Sequence, residues 1–383
     1  MLARIIGYVC NYFVVDLIVM LSKKKKIAVY LYDIKNRNVG LGEFAYQLGF
    51  YIANRASELR KDYGIQFIFI VPPGFESFFG DEVKYVVYSK GIRRLYLRLL
   101  LKVDLCHMIH QLTRLKYMRR ADTNLMTIHD LNFLYEKKGS KIEKYRSKIK
   151  RQLDCCRRIS YISYFVKSDV ERVFSPEDEG EVIYNGVADL SSVKGDFSRF
   201  KLEKNGYLFH ISSLMPKKNV HLLIEMMKFL PEEKLVVVGN LSTQYAKQLQ
   251  SRITELGLTN VVMFDHVSNE DKAELYRNCK AFLFPSLCEG FGMPPIEVMH
   301  FGKPVFLSTL TSLPEIGGDC AYYYDDLEPE QMAKVTRVGL LDFERDKENK
   351  EQQIIERARS FNWETCSKKY IDLYLKILGL NRI

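Results

Sequence analysis

The sequence lacks any regular spacing of cysteines. Its eight cysteines are scattered over 383 residues, and none belongs to a CxxC motif. In a chain of this length, scattered cysteines are typical of reduced thiols in a cytosolic protein and argue against a disulfide framework. Cys106, His107 and His110 stand close together, but no second cluster of ligands accompanies them, so a buried strand with two histidines is favoured over a metal centre. We therefore expect no metal centre at these residues.

The sequence also lacks the composition of a disordered chain. Hydrophobic residues make up 47% of it and aromatic residues 13%, which is enough to bury substantial cores. Because single cores rarely grow past roughly 250–300 residues, the length predicts two domains.

Charge is distributed unevenly along the chain. The formal net charge is +10, and residues 1–190 hold 32 Lys and Arg against 21 Asp and Glu, whereas residues 191–383 are close to neutral. The basic residues at 114–120 and 137–158 suggest a nucleic-acid binder as one alternative. The interleaved aromatic residues needed to stack bases are sparse, and charged runs of this kind are usually solvated faces, so we do not expect nucleic acid as a partner.

Residues 1–21 are the one membrane-like segment. They are followed by four lysines at positions 23–26, and the residues that interrupt their apolar character are Arg4, Gly7, Asn11 and Asp16. No small-residue cleavage site follows, which argues against a secretory signal peptide. A spanning helix would place Asp16 near the bilayer at a cost of about 2.5–3.5 kcal/mol, so a shallow anchor on the membrane surface is favoured. A helix docked on the protein itself and a chain that starts at Met20 remain alternatives.

Short apolar runs rich in β-forming residues alternate with helical patterns along the chain. Strands are predicted at 27–32, 67–71, 85–88, 125–128, 159–163, 181–184, 207–212, 235–238, 261–264, 281–284 and 304–307. Helices are predicted at 43–60, 141–158, 219–230 and 363–378. This alternation predicts parallel sheets covered by helices, so the fold class is α/β with two domains in tandem.

A polar stretch at residues 189–204 has few core-like residues and separates the two halves. We place the domain boundary there, which predicts an N-terminal domain over residues 27–195 and a C-terminal domain over residues 196–360. The last helical pattern, within residues 361–383, is long enough to return to the first domain.

The sharpest local pattern lies between Ala281 and Met299. A strand ends, a loop carries Glu289 and two glycines, and prolines open a helix that bears Glu297. Glycine lets the backbone approach a ligand closely, and N–H groups at the helix start, near Gly292 and Met293, can receive phosphate oxygens. Two carboxylates beside such a loop fit a nucleotide sugar, with hydroxyl groups at both ends and a diphosphate between. From spacing alone, an ordinary strand–helix turn with two solvated glutamates explains the pattern about equally well.

The order and identity of these residues resemble the signature of family 4 retaining glycosyltransferases, a branch of the GT-B class (glycosyl transferases group 1). Two glutamates separated by seven residues are the hallmark of that family, and Glu289 and Glu297 have this spacing. The resemblance implies two doubly wound Rossmann-like domains that face a cleft. It also implies transfer of a sugar from a nucleotide-sugar donor to an acceptor hydroxyl, with retention of the anomeric configuration and without a metal or another cofactor.

The resemblance extends over most of the chain. The segment 210–219 resembles the family's element whose lysine contacts the donor diphosphate; Lys218 matches that lysine and Lys217 lies beside it. A cation and a helix N-terminus would converge there on a dianionic group, whereas the alternative is two solvated loop lysines. Many relatives carry an arginine near the position of Ser212 and Ser213, and Lys217 is our candidate replacement. In the loop 264–268, Val267 matches the residue whose backbone reads the nucleobase.

Residues of the first half complete the implied site. Gly40 and Gly42 resemble the family's glycine-rich loop beside the donor phosphates and the acceptor, although a GxG alone is also typical of an ordinary turn. The segment 125–132 resembles a strand that ends in His-Asp, which implies that His129 lies at the cleft; a core histidine bonded to the backbone is the alternative. The resemblance thus implies catalytic roles for Glu289, which positions the donor sugar, and for His129, on the acceptor side.

Two motif variants of this sequence, His-Asp at residues 129–130 and Phe-Gly-Met-Pro-Pro at residues 291–295, are most similar to those of mannosyl- or rhamnosyltransferases of bacterial polysaccharide synthesis. The implied partners are a nucleotide-sugar donor, a glycan or lipid-diphosphate-linked acceptor, and an anionic membrane reached from the cytoplasmic side. A basic first half suits that surface, at about 1 kcal/mol per surface-proximal basic residue. A nucleotide-sugar epimerase or a phosphorylase of the same architecture is the main alternative function.

Overall fold

The structure, a computed structural model, describes residues 24–36, 40–89, 101–115 and 117–380. Most of the predicted membrane anchor at residues 1–26 therefore lies outside the described residues. Within the described ranges, no helix combines the length and the apolar character that crossing a membrane requires.

A seven-stranded sheet organises the first half. Its strands are β1 (Lys25–Tyr30), β2 (Ile65–Val71), β3 (Lys84–Val87), β4 (Val103–Met108), β5 (Ala121–Ile128), β6 (Arg158–Tyr161) and β7 (Glu181–Val182). The order across the sheet is β3-β2-β1-β4-β5-β6-β7, and all neighbouring strands are parallel. The helices are α1 (Gly40–Tyr63), α2 (Phe133–Glu136), α3 (Ser140–Leu153) and α4 (Tyr164–Phe174). Phe44, Leu48 and Ile52 recur at helical spacing and bury one face of α1 in the core of this half.

A six-stranded parallel sheet organises the second half. Its strands are β8 (Leu208–Ile211), β9 (Leu235–Val238), β10 (Val261–Phe264), β11 (Ala281–Phe284), β12 (Val305–Ser308) and β13 (Tyr322–Tyr324). The order is β10-β9-β8-β11-β12-β13, so both sheets share the doubly wound arrangement. The helices are α5 (Val220–Met226), α6 (Gln244–Glu255), α7 (Asn269–Asn278), α8 (Met293–Met299), α9 (Leu313–Gly317), α10 (Pro329–Arg345), α11 (Lys347–Arg359) and α12 (Trp363–Leu378).

The last helix, α12, packs in the core of the first half, against α1. The hydroxyl of Tyr374 lies 2.6 Å from Nδ1 of His107, and Nε2 of the same ring lies 2.7 Å from Oγ1 of Thr127. His107 is therefore a fully buried and fully bonded residue of β4.

Several element bounds differ from the prediction. Helix α3 ends at Leu153 and not at residue 158, and the predicted helix 219–230 is α5 followed by a 3₁₀ turn at Met227–Phe229. Strand β6 ends at Tyr161 because Ser163 caps α4, accepting the N–H of Val166 on its hydroxyl at 3.2 Å. The predicted α/β class with two doubly wound sheets is confirmed, and the predicted domain limits, which fall between β7 and β8, stay predictions.

Candidate functional site

Glu289 lies in the loop between β11 and α8 and is fixed by a bond within that loop and by bonds to the loop after β12. Ser286 donates its hydroxyl to Oε1 of Glu289 at 2.5 Å. The N–H of Glu289 donates to Oγ1 of Thr311 at 3.1 Å, and Ser312 donates its hydroxyl to the Glu289 carbonyl at 3.2 Å. The carboxylate is thereby held at the carboxyl end of the second sheet, where doubly wound folds bind ligands.

Lys218 forms an ion pair with this carboxylate. Its Nζ lies 2.5 Å from Oε1 of Glu289, and the two side chains are only 11% and 12% exposed. Asn219 adopts a positive φ of 55° and donates its side-chain amide to the Pro285 carbonyl at 3.0 Å, which ties the lysine turn to the Glu289 loop. The predicted phosphate-binding lysine and the predicted sugar-binding glutamate thus meet at one point.

Lys217 extends toward the first half of the molecule. Its Nζ lies 2.6 Å from Oε1 of Glu136 in α2. Burial alone would lower the pKa of the Lys217 ammonium, but the hydrogen bond to Glu136 and the charge of Glu289 raise it. The sequence pattern did not single out Glu136, because nothing local distinguishes it from the other charged residues around it.

His129 lies at the end of β5 and is buried. Its Nε2 lies 2.8 Å from the Ile109 carbonyl, to which the neutral ring donates, and its ring packs edge-on against Phe44 with centroids 4.8 Å apart. Burial lowers the pKa of the His129 imidazole to about 4. A Cβ atom on Gly290 would lie 2.1 Å from the His129 carbonyl oxygen, so the Glu289 loop contacts the backbone of His129 directly. The histidine therefore has the backbone bond of a core residue and also contacts the Glu289 loop, and its catalytic role stays a prediction.

Asp130 is a site residue that the sequence analysis did not assign. Burial raises the pKa of its carboxyl, on which the charges of Lys217 and Glu289 also act. Its Oδ1 accepts the N–H of Asn132 at 3.0 Å. Its position directly after His129, at the carboxyl end of a parallel strand, is the sequence feature that could have identified it.

Gly40, Gly42, Gly292 and Met293 were predicted to contribute backbone to the site, and the structure places them in different surroundings. A Cβ atom on Gly40 would lie 2.9 Å from Cε of Met293, so the first turns of α1 and α8 face each other. Gly292 precedes α8 with a φ of +113°, a conformation that favours glycine. Gly42 packs instead against the backbone of Asn36, whose carbonyl oxygen a Cβ atom would approach to 1.8 Å. The structure thus brings Gly40, Gly292 and Met293 together, while Gly42 serves the packing of the preceding turn.

Glu297 and Val267 lie on other parts of the same sheet edge. The hydroxyl of Tyr276 donates to Oε2 of Glu297 at 2.8 Å, and Nζ of Lys272 lies 2.9 Å from that oxygen. Glu297 is thus bonded to α7, whereas Glu289 is bonded to the Lys218 turn. Val267 is half-buried in the loop after β10, where it packs against the hydrophobic core. The predicted donor contacts of both residues stay predictions.

A metal site is not part of this arrangement. In the portion of the chain that the structure describes, no group of three or more His, Cys, Asp and Glu side chains could hold a metal ion. The lysines and backbone N–H groups are instead the positive groups at the candidate site. That no metal or other cofactor is needed stays a prediction.

The chain is similar in sequence to known proteins over part of its length. Residues 194–361 match the family described as glycosyl transferases group 1. The O-antigen chain mannosyltransferase RfbU of Salmonella typhimurium is 32% identical over 202 residues, which is 52% of this chain and 55% of that protein. The O-antigen chain mannosyltransferase B of Escherichia coli is 26% identical over 276 residues, which is 67% of this chain and 71% of that protein. The similarity to RfbU therefore spans only about half of that protein's length.

Solved structures resemble this fold over nearly the whole chain. A glycosyltransferase from Rickettsia africae has a TM-score of 0.71 at 16% identity, covering 94% of this chain and 100% of that one. Anabaena Alr3699/HepE in complex with UDP and glucose has a TM-score of 0.66 at 18% identity, covering 92% of this chain and 100% of that one. At these identities the likeness concerns the fold alone, and it confirms the predicted GT-B class. Together with the family match, it shows that the chain carries a glycosyl transferases group 1 domain, at residues 194–361, within a GT-B fold.

Proposed function

We propose that the protein is a retaining glycosyltransferase that moves a sugar from a nucleotide-sugar donor to an acceptor hydroxyl in the synthesis of a bacterial surface polysaccharide. The observation that carries this proposal is the Lys218–Glu289 ion pair, at the carboxyl end of the second sheet and beside the loop that contacts His129. The family of residues 194–361 and the two mannosyltransferase relatives support the same class of reaction.

The donor diphosphate would bind at Lys217 and Lys218. Each lysine is now paired with a carboxylate, from Glu136 and Glu289 respectively, and a diphosphate would exchange with or share these charge-assisted bonds. N–H groups near Gly292 and Met293 would add to the stabilisation of the leaving group.

The sugar and nucleoside parts of the donor would extend to either side of the diphosphate. When Lys218 binds the donor phosphate, it no longer pairs with Glu289, and the Glu289 carboxylate can then accept hydrogen bonds from the sugar hydroxyls. Glu297, held by Lys272 and Tyr276, would bind hydroxyls at the other end of the donor. The backbone at Val267 would contact the nucleobase.

The proposed reaction exchanges one bond at the anomeric carbon. The bond to the leaving phosphate oxygen breaks, and the acceptor oxygen forms a new bond on the same face of the sugar. The acceptor proton passes to the leaving phosphate oxygen, so that atoms and charges balance. His129 would border this centre as a neutral ring at pH 7, since burial lowers its pKa to about 4.

We further propose a glycan or lipid-diphosphate-linked acceptor, reached at the cytoplasmic face of an anionic membrane. The four lysines at 23–26 and the basic first half of the chain support this placement. Deletion of residues 1–26 and, separately, a rise in salt concentration should each weaken binding to anionic vesicles. If neither does, membrane contact is wrong, whereas the transferase proposal is unaffected.

Incubation of the purified chain with nucleotide sugars, with and without an oligosaccharide acceptor, tests the proposed reaction. A transferase consumes donor faster when acceptor is present and forms a new glycosidic bond. An epimerase converts the donor sugar without acceptor, and a phosphorylase releases a sugar phosphate from a glycan and inorganic phosphate. Either of the last two results would replace the proposed function.

A further inference from the structure

A row of side chains on α1 leads away from the candidate donor site. Gly40 approaches Met293 of α8, so the helix face that contains Gly40 is directed toward the second half of the molecule. Residues three, seven and ten positions further on lie on or near that face, which places Glu43, Gln47 and Phe50 there. Nε2 of Gln47 donates to Oε1 of Glu43 at 2.6 Å. At the rise of an α-helix, the row is about 15 Å long from Gly40 to Phe50.

The far end of the row is a group of aromatic rings that we name the α1 platform: Tyr46, Phe50, Phe75, Phe78 and Phe79. Tyr46 stacks on Phe50 with centroids 6.1 Å apart and lies edge-on to Phe78 at the same distance. Phe78 also contacts Phe75 at 5.2 Å and Phe79 at 5.1 Å. Phe50 is 41% exposed and Phe78 is 46% exposed, although Phe is normally among the most buried residue types.

The loop that carries three of these rings is fixed in place. The hydroxyl of Tyr85 accepts the N–H of Phe79 at 2.8 Å and donates to the Gly80 carbonyl at 2.8 Å. Gly49 of α1 leaves room for Phe79, because a Cβ atom there would lie 2.7 Å from its ring. The loop follows β2 and therefore lies at the same edge of the first sheet as His129. Ordered, exposed rings can bind a ligand without a large entropy cost of ordering side chains.

Polar groups around the platform indicate the class of ligand. Glu43 and Gln47 lie on the row itself, and Glu76 and Asp81 are exposed on and beside the platform loop. Carboxylates in this position disfavour an anionic membrane or a phosphate group, because like charges repel. Carboxylate and amide oxygens accept hydrogen bonds from hydroxyl groups, while aromatic faces pack against the apolar faces of sugar rings.

We propose that Glu43, Gln47 and the α1 platform form a subsite for the neutral sugar units of the acceptor glycan that lie beyond the unit receiving the new sugar. The inference rests on the proposed function and specifies its acceptor as an oligosaccharide chain. The row begins against Met293, beside the candidate donor site, and ends at the exposed rings, so a glycan on it is continuous with the cleft.

Ligand-observed saturation-transfer NMR on the full chain, with neutral manno-, gluco- and galacto-tetraoses as probes, tests the subsite. We expect saturation transfer to at least one tetraose, a loss of about fivefold or more in Phe78→Ala and Phe50→Ala, and retention in Phe78→Trp. Phe229→Ala is the matched control, since Phe229 is 37% exposed in the second half. The absence of saturation transfer to all three tetraoses, or equal signals in Phe78→Ala and wild type, overturns the proposal.

Two further measurements separate this inference from its alternatives. Thermal shifts caused by UDP, GDP and dTDP should be the same in Phe78→Ala and wild type, because the platform does not touch the donor lysines. If none of these nucleotides binds the wild type, the proposed function fails; if one binds and the tetraose result is negative, only the subsite fails. Binding to phosphatidylglycerol vesicles should also be unchanged in Phe78→Ala, and its loss would assign the platform to the membrane and overturn the proposal.

Discussion

Glu289 is held in position before a donor arrives. Lys218 and Ser286 both contact its Oε1, and Thr311 accepts its backbone N–H. Ser286 and Thr311 would keep Glu289 oriented after Lys218 binds the donor phosphate, and groups that are already oriented need less reorganisation during the reaction. At the scale of the residue, the account therefore depends on this carboxylate and its lysine.

Replacing Glu289 with Ala should lower kcat/KM for sugar transfer by about 100-fold or more, because the donor sugar loses the group that positions it. Initial rates over a range of donor concentrations measure the loss. Glu233→Ala is the matched control, because Glu233 pairs with Lys280, is about as buried as Glu289 and lies outside the site. Both variants should unfold cooperatively, and a Glu289→Ala protein with wild-type activity would exclude the assigned role.

Buried histidines should make stability fall in mild acid. Burial lowers the pKa of His107 and His110 to about 3, and that of His129 and His210 to about 4. In the unfolded chain a histidine titrates near pH 6.5, so between about pH 6.5 and 4 the unfolded state binds protons that the folded state does not. The contribution of these neutral histidines to the stability of the folded state is therefore complete above pH 6.5 and is lost as the pH falls toward their folded-state pKa values.

Urea unfolding at a series of pH values measures this effect. Below about pH 6.5 the free energy of unfolding should decrease by up to about 1.4 kcal/mol per pH unit for each such histidine. A free energy of unfolding that stays constant from pH 7 to pH 5 would contradict the burial of these rings.

At the scale of the element, α12 is fastened to the first sheet by a buried polar contact. Tyr374→Phe would remove the hydroxyl that bonds Nδ1 of His107 and would leave that nitrogen buried without its partner. We expect a loss of about 1–3 kcal/mol in the free energy of unfolding, measured with urea. Tyr164→Phe, at an exposed tyrosine of α4, should have little effect. Equal stability of the two variants would show that the contact does not hold the helix.

The sequence predicted best those strands that are continuous apolar runs. Strands β9, β10 and β11 have the predicted bounds, and β9 and β11 are fully buried in the parallel sheet, whereas β10 is a partly buried edge strand. Strand β13 was not predicted, since its three tyrosines form an edge strand too short to show a periodic pattern. Helix α1 begins at Gly40, three residues before the predicted start, because two glycines in its first turn resemble a loop.

The residues of the candidate site were predictable from the sequence to different degrees. Lys218 and Glu289 belong to segments whose spacing resembles a known family, and the structure brings them together. Glu136 joins the same group only through the way the two halves face each other, and no local pattern contains that information, because its ion pair with Lys217 spans about 80 residues along the chain. Asp130 differs, since its position directly after His129 at the end of a strand was a usable sequence feature.

At the scale of the whole molecule, the two halves are joined by bonds at the edge of the cleft. Ser163 donates its hydroxyl to the Gly290 carbonyl at 2.8 Å, and the N–H of Tyr164 donates to Oε1 of Glu315 at 2.7 Å. The Lys217–Glu136 ion pair also crosses the cleft. A donor that binds Lys217 must therefore compete with a carboxylate from the opposite half.

Replacing Glu136 with Gln should strengthen binding of GDP or UDP by about two- to tenfold, because one competing negative charge is removed from Lys217. Calorimetric titration of the nucleoside diphosphate measures the change. Glu143→Gln, which removes an exposed pairing with Arg146, is the control and should leave the affinity unchanged. Weaker binding in Glu136→Gln would show that Glu136 orients Lys217 for the donor and does not compete with it.

The central claim is sugar transfer with retention between a nucleotide-sugar donor and an oligosaccharide acceptor. Proton NMR of a reaction that contains the full chain, a donor such as GDP-mannose, dTDP-rhamnose or UDP-glucose, and a neutral oligosaccharide follows the new anomeric signal directly. We predict a product that forms only when donor and acceptor are both present and that keeps the anomeric configuration of the donor. A product of inverted configuration, or conversion of the donor sugar without acceptor, would contradict the account.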